Sequence, residues 1–167
     1  YRNQYFEARK MIKSGEIGEI NHVLCVMYSP LMFLFDDPAN ASWVKPSDDM
    51  VQSDGSGNGF GWGQSSHVLA WVLGVANLDV TEVTAMTHRS EKSGADLMDA
   101  ALIRCQNSQG NNSSISFSAG CGWPGNSYGT NPRGKHFDIK IFEDSNFAVR
   151  NQTWQNSRKL RRLLERV

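Results

Sequence analysis

The chain has 167 residues, of which 40% are hydrophobic and 20% charged. That length suits one domain able to bury roughly two thirds of its unfolded surface, and the apolar content excludes a disordered chain. Seventeen Lys and Arg balance seventeen Asp and Glu, so no overall field draws the protein to nucleic acid or to an anionic membrane, while a net charge near zero favours self-association.

From the start of the chain, Tyr5-Phe6, Arg9-Lys10 and Met11-Ile12 fit one amphipathic helix, closed by Ser14-Gly15 because glycine accepts the left-handed conformation of a helix end. Glu19 to Tyr28 reads as a strand buried mostly on one face, with Val23, Leu24, Val26 and Met27 around His22. Pro30 to Met50 has no period and contains Pro38 and Pro46, which predicts a long loop of the kind that often carries function. Val51 to Gly63 holds five glycines, and Gln64 to Leu73 then turns helical, with Val68, Trp71 and Val72 as its stripe and Gly74 as its end.

Val80 to His88, Asp96 to Cys105 and Ser113 to Cys121 alternate as strands, the last two joined by a turn at Asn107 to Asn112 as an antiparallel hairpin. Gly122 to Gly134 reads as a loop. Lys135 to Glu143 points Phe137, Ile139 and Ile141 inward, and Phe147 to Asn151 reads as a further strand. Arg158 to Val167 mixes Leu160, Leu163 and Leu164 with basic residues at helical spacing, which suits a solvated helix face. The order predicts an α+β fold, an open and mostly antiparallel β-sheet with helices packed on one face.

The apolar runs at Val68 to Ala76 and Pro30 to Phe35 fall well short of the roughly 18 residues that span a bilayer. Three cysteines, with no C-x-x-C and no signal-peptide pattern at the start, suit a reducing, cytoplasmic compartment. Cys25 and Cys105 read as small core residues. The chain opens on Tyr1 in mid-helix and stops at Val167 without a cap, so the expectation is a fragment of a longer protein.

No G-x-G-x-x-G follows a strand, and no P-loop, H-E-x-x-H or G-x-S-x-G occurs. Gly55-Ser56-Gly57-Asn58-Gly59 is like a phosphate loop in composition only. The four histidines do not cluster, and no metal-ligand spacing is present. His67 stands out because it opens a helix after the glycine run, beside Gln64, Ser65 and Ser66. An imidazole exchanges a proton near neutral pH. Packing against Trp71 with a backbone partner is the equal alternative. Trp43 and Lys45 could line a sugar pocket, although a loop support and a solvated charge explain them as well, and Trp123 and Tyr128 lie in the second loop.

The chain resembles the C-terminal domain of the glucose-fructose oxidoreductase / inositol dehydrogenase / rhizopine-catabolism (Gfo/Idh/MocA) oxidoreductase family. The resemblance rests on Ala8 to Ile20 with its Gly15-Glu16-Ile17-Gly18 turn, on Trp43-Val44-Lys45, on Gly59 to Gly63 followed by His67 and Gly74, and on Asp96 to Ala119. It implies that residues 1–167 form a single substrate and oligomerisation domain. An NAD- or NADP-binding Rossmann domain would be absent from this chain, which would itself bind no nicotinamide. It implies His67 as the catalytic histidine that assists proton transfer from a sugar or polyol hydroxyl. Trp43, Lys45, Trp62, Gln64 and Ser66 become candidate substrate contacts, and the exposed sheet face the surface of a homo-oligomer. The resemblance also implies an aspartate that usually stands one turn before this histidine and one that often stands one turn after it, where this chain has Gly63 and Ala70. A lapsed homologue that serves as a binding or assembly module is therefore the alternative expectation.

Overall fold

The structure is a computed structural model that describes residues 2–40, 59–122 and 136–143. The expected strand at 147–151 and the helix at 158–167 lie outside the described residues, as do Trp43, Lys45, Trp123, Tyr128 and most of the glycine run.

Helix α1 (Arg2–Lys13) is followed by strand β1 (Ile20–Tyr28) and the four-residue helix α2 (Met32–Phe35). A π-helical turn (Gly61–Ser65) leads into helix α3 (Ser66–Ala76). Strands β2 (Leu78–Arg89), β3 (Asp96–Asn107), β4 (Asn112–Gly120) and β5 (His136–Glu143) complete the described chain. They form one sheet in the order β2-β3-β4-β1-β5.

The sheet is mostly antiparallel, as expected, with β2–β3–β4 a meander and β5 antiparallel to β1. The exception is β1, which runs parallel to β4. The long connection through α3 carries the chain across the sheet, so β1 pairs with strands far from it in sequence rather than with β2.

One sheet face is the core. Rows across the register read Ile141–Val23–Ile115–Ile103–Val83 and Ile139–Cys25–Phe117–Ala101–Ala85. Val68 and Val72 of α3 are buried with them, each contributing about 1.5–3 kcal/mol relative to exposure. Helix α1 packs on α3 through Ala8 and Met11, clustered with Ile17 and Val75. The opposite face carries Met86, Met98, Leu102 and Phe142 exposed among Ser114, Ser116 and Ser118, with His22 Nδ1 paired to Ser114 Oγ at 2.8 Å and Tyr28 Oη to Ser118 Oγ at 2.7 Å.

Two local expectations are corrected. Gly74 does not end the helix. Helix α3 continues to Ala76 and closes at Asn77, whose φ of 53° gives the left-handed cap. Gly74 instead makes room for Tyr5, whose Oη would stand 2.7 Å from a Cβ there. The stretch from Pro30 is not loop throughout, because Met32–Phe35 closes a helical turn. Phe35 drives that turn by burying fully, edge-on to Phe60 with ring centroids 5.7 Å apart.

Candidate functional site

Four of the candidates, Trp62, Gln64, Ser66 and His67, lie in and just after a turn that meets one end of the sheet at the start of β3. The turn between β2 and β3 is braced there against α2: Ser93 Oγ donates to Phe35 O at 2.5 Å, Ser90 Oγ donates to Asp36 Oδ1 at 2.6 Å, and Lys92 Nζ meets Asp36 Oδ2 at 2.5 Å. The hydrogen bond from Lys92, then that from Ser90, holds the Asp36 carboxyl below the ordinary range. Phe35 in turn supports Phe60, the residue that opens the His67 turn.

That turn is wound more loosely than an α-helix, since Ser66 N–H reaches Gly61 O, five residues back, although Gly63 N–H makes an ordinary α-type bond to Gly59 O at 2.9 Å. Such π-turns recur at functional sites. Ser66 Oγ donates to Trp62 O at 2.7 Å, which ties two of the candidates together. Trp62 is 58% exposed, Ser66 is exposed and Gln64 half-buried.

His67 is exposed on the first turn of α3. Val68 and Val72 take the sheet-facing stripe, and Leu69 and Leu73 border a groove toward β2. His67 lies one turn before Trp71, which meets Tyr5 of α1 edge-on at 6.3 Å. Ile12, at the other end of α1, borders a cavity with Ala76, Asn77 and Leu78. Trp62, Gln64, Ser66 and His67 share one short segment, whereas Trp43 and Lys45 fall outside the described residues.

Two acidic residues that the sequence reading passed over sit under this segment. Asp96 Oδ2 accepts Gly61 N–H at 2.5 Å, and Asp99 Oδ1 accepts the Thr87 hydroxyl at 2.9 Å. The β2–β3 register pairs His88 with Met98 but Arg89 with Asp96, so Leu97 is an extra residue. This bulge brings Asp96 to the same side as Asp99. Burial, and then the charge of Asp96, pushes the Asp99 carboxyl up to about 6. They border an open groove of about 390 Å³ lined by Leu69, Leu73, Val80, Val83 and Ala101. The sequence signal was the inward parity of Cys105, Ile103, Ala101 and Asp99 along β3.

The residues here do not fit a dinucleotide. Gly61 and Gly63 spend their amides on Asp96 and Gly59, and a carboxyl pair sits where a pyrophosphate needs donors. Among the described residues no group of three His, Cys, Asp or Glu stands close enough to hold a metal ion, and no helix is long and apolar enough to cross a membrane. All three cysteines are free and buried. Burial pushes the Cys25 thiol up to about 12 and the Cys121 thiol to about 11.

Solved structures share this architecture. An oxidoreductase from Sinorhizobium meliloti matches with a TM-score of 0.60 at 14% identity, covering 86% of this chain and 32% of its own. An oxidoreductase domain protein from Kribbella flavida matches at 0.57 and 17% identity, covering 84% and 35%. A levoglucosan dehydrogenase, in complex with NADH and levoglucosan, matches at 0.55 and 16% identity, covering 82% and 34%. At these identities the likeness is one of fold, and the chain spans about a third of the length of these proteins. No curated protein matches it. The family model of the GFO/IDH/MocA C-terminal domain matches residues 5–130, three quarters of the chain. With four of the five strands, β1 to β4, the Gly59–Ser65 turn and α3 all inside that match, the chain belongs to the GFO/IDH/MocA C-terminal domain family.

Proposed function

We propose that this chain is the substrate-facing and self-associating domain of an NAD- or NADP-dependent oxidoreductase that acts on a sugar, a polyol or a similar hydroxy compound. The observation that carries this reading is the exposure of His67 on the first turn of α3, beside Trp62 and Ser66. Oxidising an alcohol carbon removes a hydride from carbon and a proton from oxygen. In this reading the His67 imidazole takes the hydroxyl proton within hydrogen-bond reach. A nicotinamide held by a separate dinucleotide-binding domain would accept the hydride. Trp62 offers an apolar ring to a sugar face, and Ser66 and Gln64 offer polar groups to hydroxyls, with Trp43 and Lys45 as further candidates. The levoglucosan dehydrogenase of the same fold, crystallised with NADH and levoglucosan, agrees with this substrate class.

The exposed Met86, Met98, Leu102 and Phe142 favour self-association through the open sheet face. Gly63 and Ala70, where the resemblance implies aspartates, favour the second reading of an assembly module without turnover. The experiment supplies the full gene product with NAD or NADP and a panel of sugars and polyols and follows nicotinamide reduction. Reduction that His67→Ala abolishes supports the first reading. An associating protein that reduces neither nicotinamide with any of them supports the second.

A further inference from the structure

The carboxyl pair beneath the Gly59–Ser65 turn has one buried oxygen short of a partner. Asp99 Oδ1 accepts from Thr87, but Oδ2 is sealed from solvent and meets no N–H or O–H donor. A Cβ built on Gly61 would stand 2.8 Å from Asp99 Oδ2 and 3.0 Å from Asp96 Oδ2. Both carboxyls therefore lie close to the same point of the turn, the side of Gly61 that a Cβ would occupy. A Cβ on Gly59 would overlap Asp96 outright, so the turn has no slack on that side. In the same wall, one turn after Gly61, Ser65 is 2% exposed, and its hydroxyl has no hydrogen-bond partner. Buried polar atoms of this kind are few in folded proteins, and each calls for an explanation.

We propose that Asp96 and Asp99 form a proton-operated latch that positions the Gly59–Ser65 turn and, through it, His67. With one proton between the carboxyls, Asp99 donates its O–H to Asp96, and Asp96 keeps its bond to Gly61 N–H. When that proton leaves to solvent, two adjacent carboxylates repel, Asp96 withdraws from Gly61, and the turn loosens. The bearing of the latch on turnover rests on the proposed role of His67, but the latch itself does not.

The charged and titratable groups around the pair favour switching in a physiological range. From β2, Arg89 faces Asp99 and eases its ionisation, as does the Thr87 hydrogen bond. From the end of β4, the buried Cys121 thiol feels both carboxyls and stays protonated. From the turn, Gly61, whose N–H donates to Asp96, and the uncharged Ser65 line the groove. Burial and the Asp96 charge outweigh Arg89 and Thr87, which leaves the Asp99 carboxyl at about 6.

The test is NMR on the 167-residue chain. Side-chain carboxyl carbon shifts and the amide exchange of Gly61 and Gly63 are followed between about pH 4 and 8, with the intrinsic pH dependence of exchange divided out. Asp99 is expected to titrate with a midpoint near 6, and Gly61 protection to fall about tenfold over the same range. Asp99→Asn leaves a permanent N–H donor toward Asp96 and is expected to keep Gly61 protection flat with pH. An Asp99 midpoint below about 5, flat Gly61 protection in the wild type, or an unchanged fall in Asp99→Asn overturns the latch. If Asp99→Asn does not fold, the wild-type titration decides alone. In the full gene product, kcat is expected to carry a transition near 6 that Asp99→Asn removes, with KM unmoved. An intact latch beside turnover indifferent to His67→Ala removes the role of His67 alone. A flat Gly61 beside His67-dependent turnover removes the latch alone.

Discussion

Tyr5 of α1 lies against Gly74 of α3 so closely that a Cβ at position 74 would stand 2.7 Å from the phenol oxygen. The same ring meets Trp71 edge-on, and its Oη accepts a hydrogen bond from Arg9 Nη1 at 3.0 Å. A close approach of helix α1, rather than a helix end, accounts for this glycine.

Gly74→Ala therefore sets two effects against each other. In the last turn of α3 alanine gains at most about 1 kcal/mol over glycine in propensity, while overpacking against a ring held on two sides costs about 1–3 kcal/mol. The expected outcome is a net loss of about 1 kcal/mol by urea unfolding. Tyr5→Phe in the same chain should relieve most of it, because the phenol oxygen is the nearest clashing atom. Additive losses in the double mutant would show that the contact is not the cause.

The stability profile should carry the sign of Asp99. Its folded carboxyl sits above the ordinary value of about 3.9, near 6. The folded protein thus holds the proton more tightly than the unfolded chain. Its stabilising share is full below about pH 4 and is lost as pH rises to about 6. Asp99→Asn, which does not ionise, should gain about 1–2 kcal/mol on the wild type at pH 7.5 relative to pH 4.5, a figure discounted for half-exposure. Asp36 works the other way: its carboxyl is lowered by Lys92 and Ser90, so its share is lost as pH falls. Equal unfolding midpoints for wild type and Asp99→Asn at both pH values would exclude the Asp99 effect.

Thiol chemistry should be silent in the native state. Cys25, Cys105 and Cys121 are buried, and burial raises all three thiols, while reactivity belongs to the thiolate. A disulfide reagent at pH 7 is expected to label none of them until denaturant is added and then all three. Rapid labelling without denaturant would place a thiol at the surface.

Much of the fold was legible because alternation reports burial. Ile115, Phe117 and Ala119 against the serines of β4, and Phe137, Ile139 and Ile141 in β5, give the strands and their inner face directly. Alternation names faces and not partners, so the parallel pairing of β1 with β4 was invisible. Helix α2 was hidden because four residues are too few for a helical period. Within the candidate segment, the helix start that carries Ser66 and His67 was legible from its place after the glycines. Asp99 showed only as a break in the apolar parity of β3. Asp96 was not legible at all, since its position depends on the bulge at Leu97.

Self-association is open to a surface test. Met86, at 79% exposure, and Leu102, at 58%, stand on the open face in neighbouring rows. Met86→Lys with Leu102→Lys should convert an associating protein to a monomer by light scattering, because a charge is costly in an apolar contact. It should leave unfolding within about 0.5 kcal/mol of the wild type, as for most surface changes. An unchanged mass would move the contact to another surface.

The central claim concerns the imidazole on the first turn of α3. Its most direct test is kcat of the full gene product with His67→Ala on a hydroxy substrate that the wild type oxidises. A general base of this kind accounts for about 100-fold or more in rate, so kcat is expected to fall by that factor while nucleotide affinity is kept. A kcat equal to the wild type would contradict the assignment.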